Sequence, residues 1–381
     1  MNQQNISDAE QAYRSLGVTP IINASGSVTR LGGSRTRPEV LEQMAGTARV
    51  MVNIDELNRR AGEEIARLVG SEAAMVSSGA AGGLLLQAAA CIAGNDPVKM
   101  QRLPDTEGMK NEIIMQTTHR FPYDHAYRAA GAKIVEIGNY LFNHPWELEG
   151  AINERTAAVA YLCAPFTSKR VMPLAQVCEI AHAHEVPVIV DAASMLPPRA
   201  NLQRYLRDGA DMVIFSGGKG VRGPQGTGIL CGRADLIDAA LANASPAQFI
   251  GRSAKVAKEE IVGLVTALSM FVEEDEEAEM ARYRSMAQRV VDSLIEVPGL
   301  NISLEHDGID YLLPNAVLRL GGDWSGPSAQ QVAAALQQGD PPIYLQQLRA
   351  PDELMVDPLN VTEDEIDTVI RRLREALTGT N

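Results

Sequence analysis

Asp211-Met-Val-Ile-Phe-Ser-Gly-Gly-Lys-Gly-Val-Arg-Gly-Pro-Gln-Gly-Thr-Gly-Ile-Leu230 is the stretch from which the rest of the chain is read. Its apolar run from Met212 to Phe215 predicts a buried strand. Ser216 and two glycines follow, then a lone Lys219, then Gly220, Gly223, Gly226 and Gly228. Lysine normally stands in solvent, so its place here needs a reason. Flanking glycines let the backbone turn sharply and let a bulky group come close. Such a loop fixes an amine in place, and burial makes its proton easier to lose. Taken alone, the stretch also reads as an ordinary β-turn with an exposed lysine.

Upstream, Val186-Pro-Val-Ile-Val-Asp191-Ala-Ala-Ser reads as another buried strand, and it ends in an aspartate. Parallel strands covered on both faces are continuous Val/Ile runs, and their carboxyl ends form the ligand crevice. A fixed lysine past one such end and a carboxylate at the next are what pyridoxal phosphate requires. The amine forms a Schiff base with the cofactor. The carboxylate keeps the pyridine nitrogen protonated, so that the ring can take up electrons. Asp191 without a matched lysine would read as a helix N-cap.

Composition sets the bounds. The 381 residues are 45% hydrophobic and 22% charged, enough for one large soluble domain and a smaller one. A net charge of −14 argues against a nucleic-acid partner, since such binding draws on clustered Lys and Arg. Cys91, Cys163, Cys178 and Cys231 show no CxxC spacing, so neither a zinc site nor a disulfide framework is indicated. His182 and His184 lie two apart and share no helical face, which speaks against a metal pair. No apolar run reaches the ~18 residues of a membrane span, and the first residues lack a signal peptide's pattern. The expected compartment is the cytoplasm.

Along the chain, a first helix is expected over Ser7–Leu16, then a short strand at Ile21–Asn23 and a polar loop carrying Arg30 and Arg35. Helix follows from Pro38 to Val69, broken near Val50–Asn53. Glu72-Ala-Ala-Met-Val-Ser77-Ser78-Gly79-Ala80-Ala81-Gly82-Gly83 then reads as strand, small-residue turn and helix start. Free N–H groups and the helix dipole make that turn an anion site, the expected cradle for a cofactor phosphate. It lacks the Gly-Lys-Ser/Thr of a P-loop and the GxGxxG of a dinucleotide fold. Residues 95–111 read as an irregular excursion. The strand Glu112–Gln116 leads to His119, placed to stack on a pyridine ring, or else a capping or surface histidine. Strands at Lys133–Ile137 and Thr156–Cys163 follow, and the loop Ala164–Arg170 is placed to touch cofactor or substrate. Strands and helices alternating from about 70 to 240 predict an α/β domain with a mainly parallel sheet. Beyond it come a helix over Glu259–Met270, a helix over Glu274–Val297, strands at Asn301–Glu305 and Asn315–Leu320, and helices at Ser328–Gln338 and Thr362–Leu377. Thr362 and Glu365 have the spacing of a capping box. The domain limits read from this pattern are 1–20 (an N-terminal helix), 21–245 and 246–381.

The order phosphate turn, histidine, aspartate, lysine resembles that of fold-type-I pyridoxal-phosphate enzymes. Phe215-Ser-Gly-Gly-Lys219-Gly-Val-Arg-Gly-Pro-Gln-Gly-Thr-Gly228 is similar to the lysine loop of the selenocysteine synthase (seryl-tRNA selenium transferase) group. Gly70-Ser-Glu-Ala-Ala-Met-Val76, Ile22-Asn23 with Thr29-Arg30-Leu-Gly32, and Gly339-Asp-Pro-Pro-Ile343 extend the likeness over about 20–375. Bacterial selenocysteine synthases carry an added N-terminal region that engages tRNA, whereas here the catalytic part begins almost at once. With the negative charge, that points to the metabolic branch exemplified by D-glucosaminate-6-phosphate ammonia-lyase.

The resemblance implies a fold-type-I transferase fold, with a large mainly parallel-sheet domain and a small C-terminal α/β domain. It implies Lys219 as the Schiff-base lysine, Asp191 as the pyridinium partner and His119 on the ring. Ser78, Gly79, Ala80 and Ser216 would hold the cofactor phosphate. Arg120 and Arg252 are candidates for a substrate carboxylate or phosphate, for which arginine offers a rigid fork; surface ion pairing is the other reading. The expected reaction is ammonia elimination, with water loss, from a β-hydroxy amino acid or amino sugar acid such as D-glucosaminate 6-phosphate. An aldolase, a racemase or an aminotransferase would need the same residues. A tRNA-dependent selenium transferase and a non-catalytic cofactor-binding protein are the readings from other classes. A homodimer or ring of dimers is expected, with the 23–35 and 251–255 loops reaching a neighbour's site.

Overall fold

A computed structural model of the chain describes residues 3–165, 167, 171–347 and 350–379. It opens with α1 (Gln3–Ser15), which begins before the Ser7 start that capping chemistry predicts. β1 (Ile22–Ala24), α2 (Pro38–Thr47) and α3 (Ile54–Val69) follow. The break between α2 and α3 falls at the expected place. The Asn53 side chain accepts from the Glu56 N–H, and Gly70 ends α3 in the left-handed conformation. Next come β2 (Ala73–Ser78) and α4 (Gly79–Ala93). The stretch expected to be irregular contains a short helix, α5 (Pro97–Arg102). Asp96 caps it and Pro97 supplies a ready-made first turn.

Alternation then sets in: β3 (Glu112–Gln116), α6 (His125–Ala129), β4 (Lys133–Ile137), α7 (Pro145–Ala151), β5 (Thr156–Leu162), α8 (Leu174–Ala183) and β6 (Val188–Asp191). After α9 (Asn201–Arg207), β7 (Met212–Ser216) and β8 (Thr227–Gly232) flank the lysine loop, and α10 (Ala234–Asn243) and α11 (Lys258–Glu273) follow. The last part holds α12 (Glu276–Leu294), β9 (Asn301–Glu305), β10 (Asn315–Arg319), α13 (Ala329–Gln337), β11 (Ile343–Leu345), β12 (Glu353–Val356) and α14 (Glu363–Thr378). Thr362 and Glu365 make both bonds of the expected capping box at the head of α14.

Residues Glu39–Glu273 form one compact unit, and Met1–Pro38 with Glu274–Asn381 form another. The limits read from sequence lie elsewhere, at 20/21 and 245/246. Pairing explains the first difference: β1 runs parallel to β11, Ile22 opposite Ile343, which ties the N-terminal loop to the C-terminal part. Helix packing explains the second. Gly263 of α11 lies so close to Met44 and Pro224 that any side chain there would collide with both.

The larger unit is built on a seven-stranded sheet of order β2-β8-β7-β6-β5-β3-β4. Its pairs are parallel except those of β8, which runs against both β2 and β7. Ile113, Ile114, Ile189, Met212, Ile214 and Leu230 are fully buried. Helices cover both faces of such a sheet, so its strands read as unbroken apolar runs. Each such side chain contributes about 1.5–3 kcal/mol by leaving water. In the smaller unit the antiparallel sheet β12-β10-β9 shares a core with α12, α13 and α14 through Val290, Leu294, Val332, Leu336, Val369 and Leu373. Among the described residues, no helix is long and apolar enough to cross a membrane. Nor do any three His, Cys, Asp or Glu side chains group as metal ligands there.

Candidate active site

Parallel pairing brings the carboxyl ends of β3, β5, β6 and β7 to one edge of the large sheet. Leu162 stands opposite Asp191, and Asp191 opposite Ile214. The ends of β5 and β6 and the loop after β7 therefore open onto one crevice. Asp191 accepts the Ala193 N–H on Oδ1 at 3.0 Å. Burial raises its carboxyl pKa, against the opposing pull of that hydrogen bond and of the Lys219 charge. At Lys219 burial lowers the pKa of the amine, and the Asp191 charge opposes this. The two groups thus act on each other across the crevice.

Glycine lets the lysine loop fold back on itself. The Gly217 N–H donates to the Thr227 carbonyl and the Gly223 N–H to the Gly217 carbonyl, both at 2.9 Å. A side chain at Gly218 would overlap the Gln225 backbone, and one at Gly220 the Leu196 carbonyl beyond β6. The far end of the loop clasps the phosphate turn. A Cβ on Gly228 would lie 2.6 Å from both the Gly79 carbonyl oxygen and Ser77 Oγ. Gly79, with φ of 60°, donates its N–H to the Gly226 carbonyl at 2.8 Å. That changes one expectation: the Gly79 N–H is already engaged, so the N–H groups at the head of α4 with no partner within the helix are those of Ala80 and Ala81. Ser78 caps α4 without using its hydroxyl on the helix, which leaves that group for a ligand. Ser216 is half-buried at the end of β7, three residues before Lys219.

His119 is buried in the turn after β3. Its Nδ1 accepts the Leu162 N–H at 3.3 Å, and the Tyr161 ring meets it edge-on at 4.4 Å between centroids. Burial pushes its pKa down to about 4, so the imidazole is neutral at pH 7. Arg120 and Arg252 part company here. Arg120 gives its guanidinium to Asp124 at 2.6 Å and to Glu136, the ion-pair reading of that residue. Arg252 is exposed on the turn Phe249–Ala254 and lines an open groove with Met100, Gln101 and Leu103. Ala254 of the same turn comes within 3.8 Å of a Cβ built on Gly82, beside the phosphate turn. Of the loop Ala164–Arg170, Phe166 and Ser168–Arg170 lie outside the described residues.

Three side chains of the site escape sequence reading. Ser77 shapes the turn by donating to the Gly79 carbonyl at 2.9 Å. Tyr161 packs on His119 and donates to the Met172 carbonyl at 3.1 Å. Tyr127 of α6 is buried facing Asp191. A polar tip within an apolar run was the only signal for Tyr161, and Tyr127 had none.

The donor set suits pyridoxal phosphate: an amine that burial inclines to lose its proton, a carboxylate enclosed at the strand end, and unpaired N–H groups at a helix head. His119 Nε2, buried and without a hydrogen-bond partner among the described residues, marks the same crevice. The chain belongs to the aminotransferase class-V family, whose pattern it matches over residues 112–308, and it is an enzyme of the fold-type-I pyridoxal-phosphate class. Over 373 residues it is 34% identical to a 5'-C-glycyluridine monooxygenase-decarboxylase of a Streptomyces species, covering 96% of this chain and 92% of the relative. It is 33% identical over 369 residues to a D-glucosaminate-6-phosphate ammonia lyase of Salmonella typhimurium, covering 95% and 97%. A solved structure of D-glucosaminate-6-phosphate ammonia-lyase superposes with a TM-score of 0.84 over 96% of this chain and 97% of that one, at 33% identity. An L-seryl-tRNA(Sec) selenium transferase of Desulfovibrio desulfuricans is 26% identical, covering 93% and 81%. The cofactor of this class is pyridoxal 5'-phosphate.

Proposed function

We propose that the protein is a pyridoxal-phosphate-dependent ammonia-lyase. Its substrate is a β-hydroxy amino acid or amino sugar acid of the D-glucosaminate 6-phosphate type, and its net products are a 2-keto acid and ammonia, the water lost in the elimination being taken up again in the final hydrolysis. The observation that carries this is the Lys219–Asp191 pair at neighbouring strand ends, in a chain 33% identical to an ammonia lyase throughout its length. Lys219 would hold the cofactor through Nζ and, once free of it, would accept the substrate α-proton there. Burial favours the neutral, proton-accepting amine. When bound, the cofactor ring supplies an electron sink for the charge left at the α-carbon. Asp191 would hold the ring nitrogen in its protonated form, and neutral His119 would lie against the ring. Ser78 Oγ, Ser216 Oγ and the N–H groups of Ala80 and Ala81 would hold the phosphate, aided by the α4 dipole. Gly79 serves by its conformation. The β-hydroxyl departs with a proton as water, and hydrolysis of the resulting enamine releases ammonia and the keto acid.

Arg252, exposed beside the phosphate turn, is our choice for a substrate carboxylate or phosphate. Arg120, held by Asp124 and Glu136, braces the wall of the site instead. The partner is a small molecule, with no nucleic acid and no membrane, and the chain works in the cytoplasm as a homodimer or ring of dimers.

The relative named for a monooxygenase-decarboxylase supports a second reading, in which the same residues serve an oxygen-consuming decarboxylation. Incubating the holoenzyme with D- and L-β-hydroxy amino acids and sugar amino acids decides between them. Ammonia and keto acid in equal amounts, without oxygen uptake, are expected. Oxygen uptake with carbon dioxide release selects the second reading. In Lys219→Ala the near-visible cofactor band should vanish and turnover should fall about 10³-fold. A band that survives the substitution removes Lys219 from the role.

A further inference from the structure

Beside Asp191 the large unit has a small, partly open cavity lined by His119, Tyr127, Tyr161, Asp191 and the apolar Leu84 and Met115, with Phe121 and the exposed Tyr123 beside them. Its volume is about 10 Å³, room for about one ordered water. Polar groups converge there. His119 Nδ1 is already an acceptor for the Leu162 N–H, so a neutral imidazole carries its proton on Nε2, the buried atom with no partner among the described residues. Tyr127 is 2% exposed and lines the same cavity. Among the described residues Asp191 accepts only the Ala193 N–H, on Oδ1. Asp124 does not compete, because Arg120 takes one of its oxygens and Arg128 the other.

We propose that this cavity holds one ordered water bridging Tyr127, His119 and Asp191, and that Tyr127 is a positioning residue acting through it. The inference rests on the assignment of Asp191 to the cofactor ring nitrogen. Nε2–H of His119 and the Tyr127 hydroxyl donate to the water, and the water donates to the Asp191 carboxylate. Three hydrogen bonds are the usual complement of a buried water. A water fed by two donors is itself a stronger donor, so it stabilises the ionised carboxylate. The proton shared along the Asp191–ring axis then stays on the ring nitrogen, where electron uptake needs it.

The surrounding titratable groups leave this arrangement unchanged near neutral pH. On α6 the Tyr127 phenol is held far above its ordinary pKa by burial and by the Asp191 charge, so it remains a donor. Cys91 of α4 is pushed up to about 12 by burial, and Cys163 after β5 is also raised by burial. Asp124, before α6, stays ionised between its two arginines, which outweigh its burial. Lys219, after β7, is the remaining charge acting on Asp191.

The test uses the holoenzyme loaded with ¹⁵N-labelled pyridoxal phosphate, comparing the ring-nitrogen resonance in wild type, Tyr127→Phe and Asp191→Asn. Tyr127→Phe keeps the ring and its packing. In wild type the nitrogen should read as protonated. In Tyr127→Phe the equilibrium should move about tenfold towards the unprotonated ring, and kcat should fall by a similar factor at unchanged KM. An identical resonance and pH profile in the two proteins, even with a lowered melting temperature, would mean that Tyr127 only packs, and would overturn the proposal. A wild-type nitrogen that is unprotonated, or unaffected by Asp191→Asn, would overturn the Asp191 assignment along with it.

Discussion

A single carboxylate far along the chain makes stability depend on pH. Asp357 accepts the Leu359 N–H at 2.9 Å, and its other oxygen lies where a side chain on Gly26 would come within 2.5 Å. Burial raises its pKa from 3.8 to about 6, with the Leu359 bond opposing. Between those values the folded chain binds a proton that the unfolded chain has lost. Stability therefore falls as pH rises through this window, and the loss persists above it. Asp357→Asn keeps an acceptor for Leu359 and removes the charge. Its melting temperature should exceed that of wild type above pH 6, and its pH dependence should be flatter between about 4 and 6. Thermal unfolding across pH checks this, and parallel curves for the two proteins would count against it. At this scale Lys219 and Asp191 stood out as candidates because their signals are local: a lysine among glycines, and an aspartate closing a Val/Ile run. Asp357 and Tyr127 were not, because what shifts them is burial among residues distant in sequence.

Among elements, the decisive contact joins the lysine loop to the phosphate turn. Gly228 lies against Gly79 and Ser77 at the start of β8, so a methyl group there must move the head of α4. Gly228→Ala should weaken cofactor binding about tenfold or more, since overpacking costs about 1–3 kcal/mol. Gly46→Ala in α2, where a Cβ meets nothing within 4 Å, should leave affinity unchanged. Equilibrium dialysis of the cofactor against both variants and wild type is the check, and equal affinities would remove the clasp from the account. The sequence shows β2, α4, β7 and β8 as separate pieces. That β8 runs antiparallel between β2 and β7, and so delivers Gly228 to the turn, is a matter of pairing. The capping box of Thr362 and Glu365 was legible because it depends on residues within one turn. Helix α5 was missed because its composition is polar throughout the stretch around it.

At the scale of the molecule, the link between α2 and α3 leaves Val50, Met51 and Val52 exposed at 59%, 85% and 51%. Consecutive apolar side chains in solvent are the mark of a surface that another surface covers, and this supports the proposed self-association. Light scattering should return a molar mass of at least twice the 41.0 kDa of one chain. Met51→Asp should shift it towards the single chain. A wild-type mass of one chain at micromolar concentration would end the homo-oligomer proposal.

The sequence by itself determined the alternation of strands and helices, the cofactor lysine and its partner aspartate as candidates, and the phosphate turn as a helix head. Those follow from periodicity, glycine and strand-end chemistry, which act over a few neighbouring residues. Tertiary structure alone decided that β1 joins the C-terminal unit, that Arg120 belongs to Asp124 and Glu136, that the Gly79 N–H is taken by Gly226, and that Tyr127 shares a cavity with Asp191. Each of these depends on strand pairing or side-chain packing between segments far apart in the chain, where sequence spacing carries no distance.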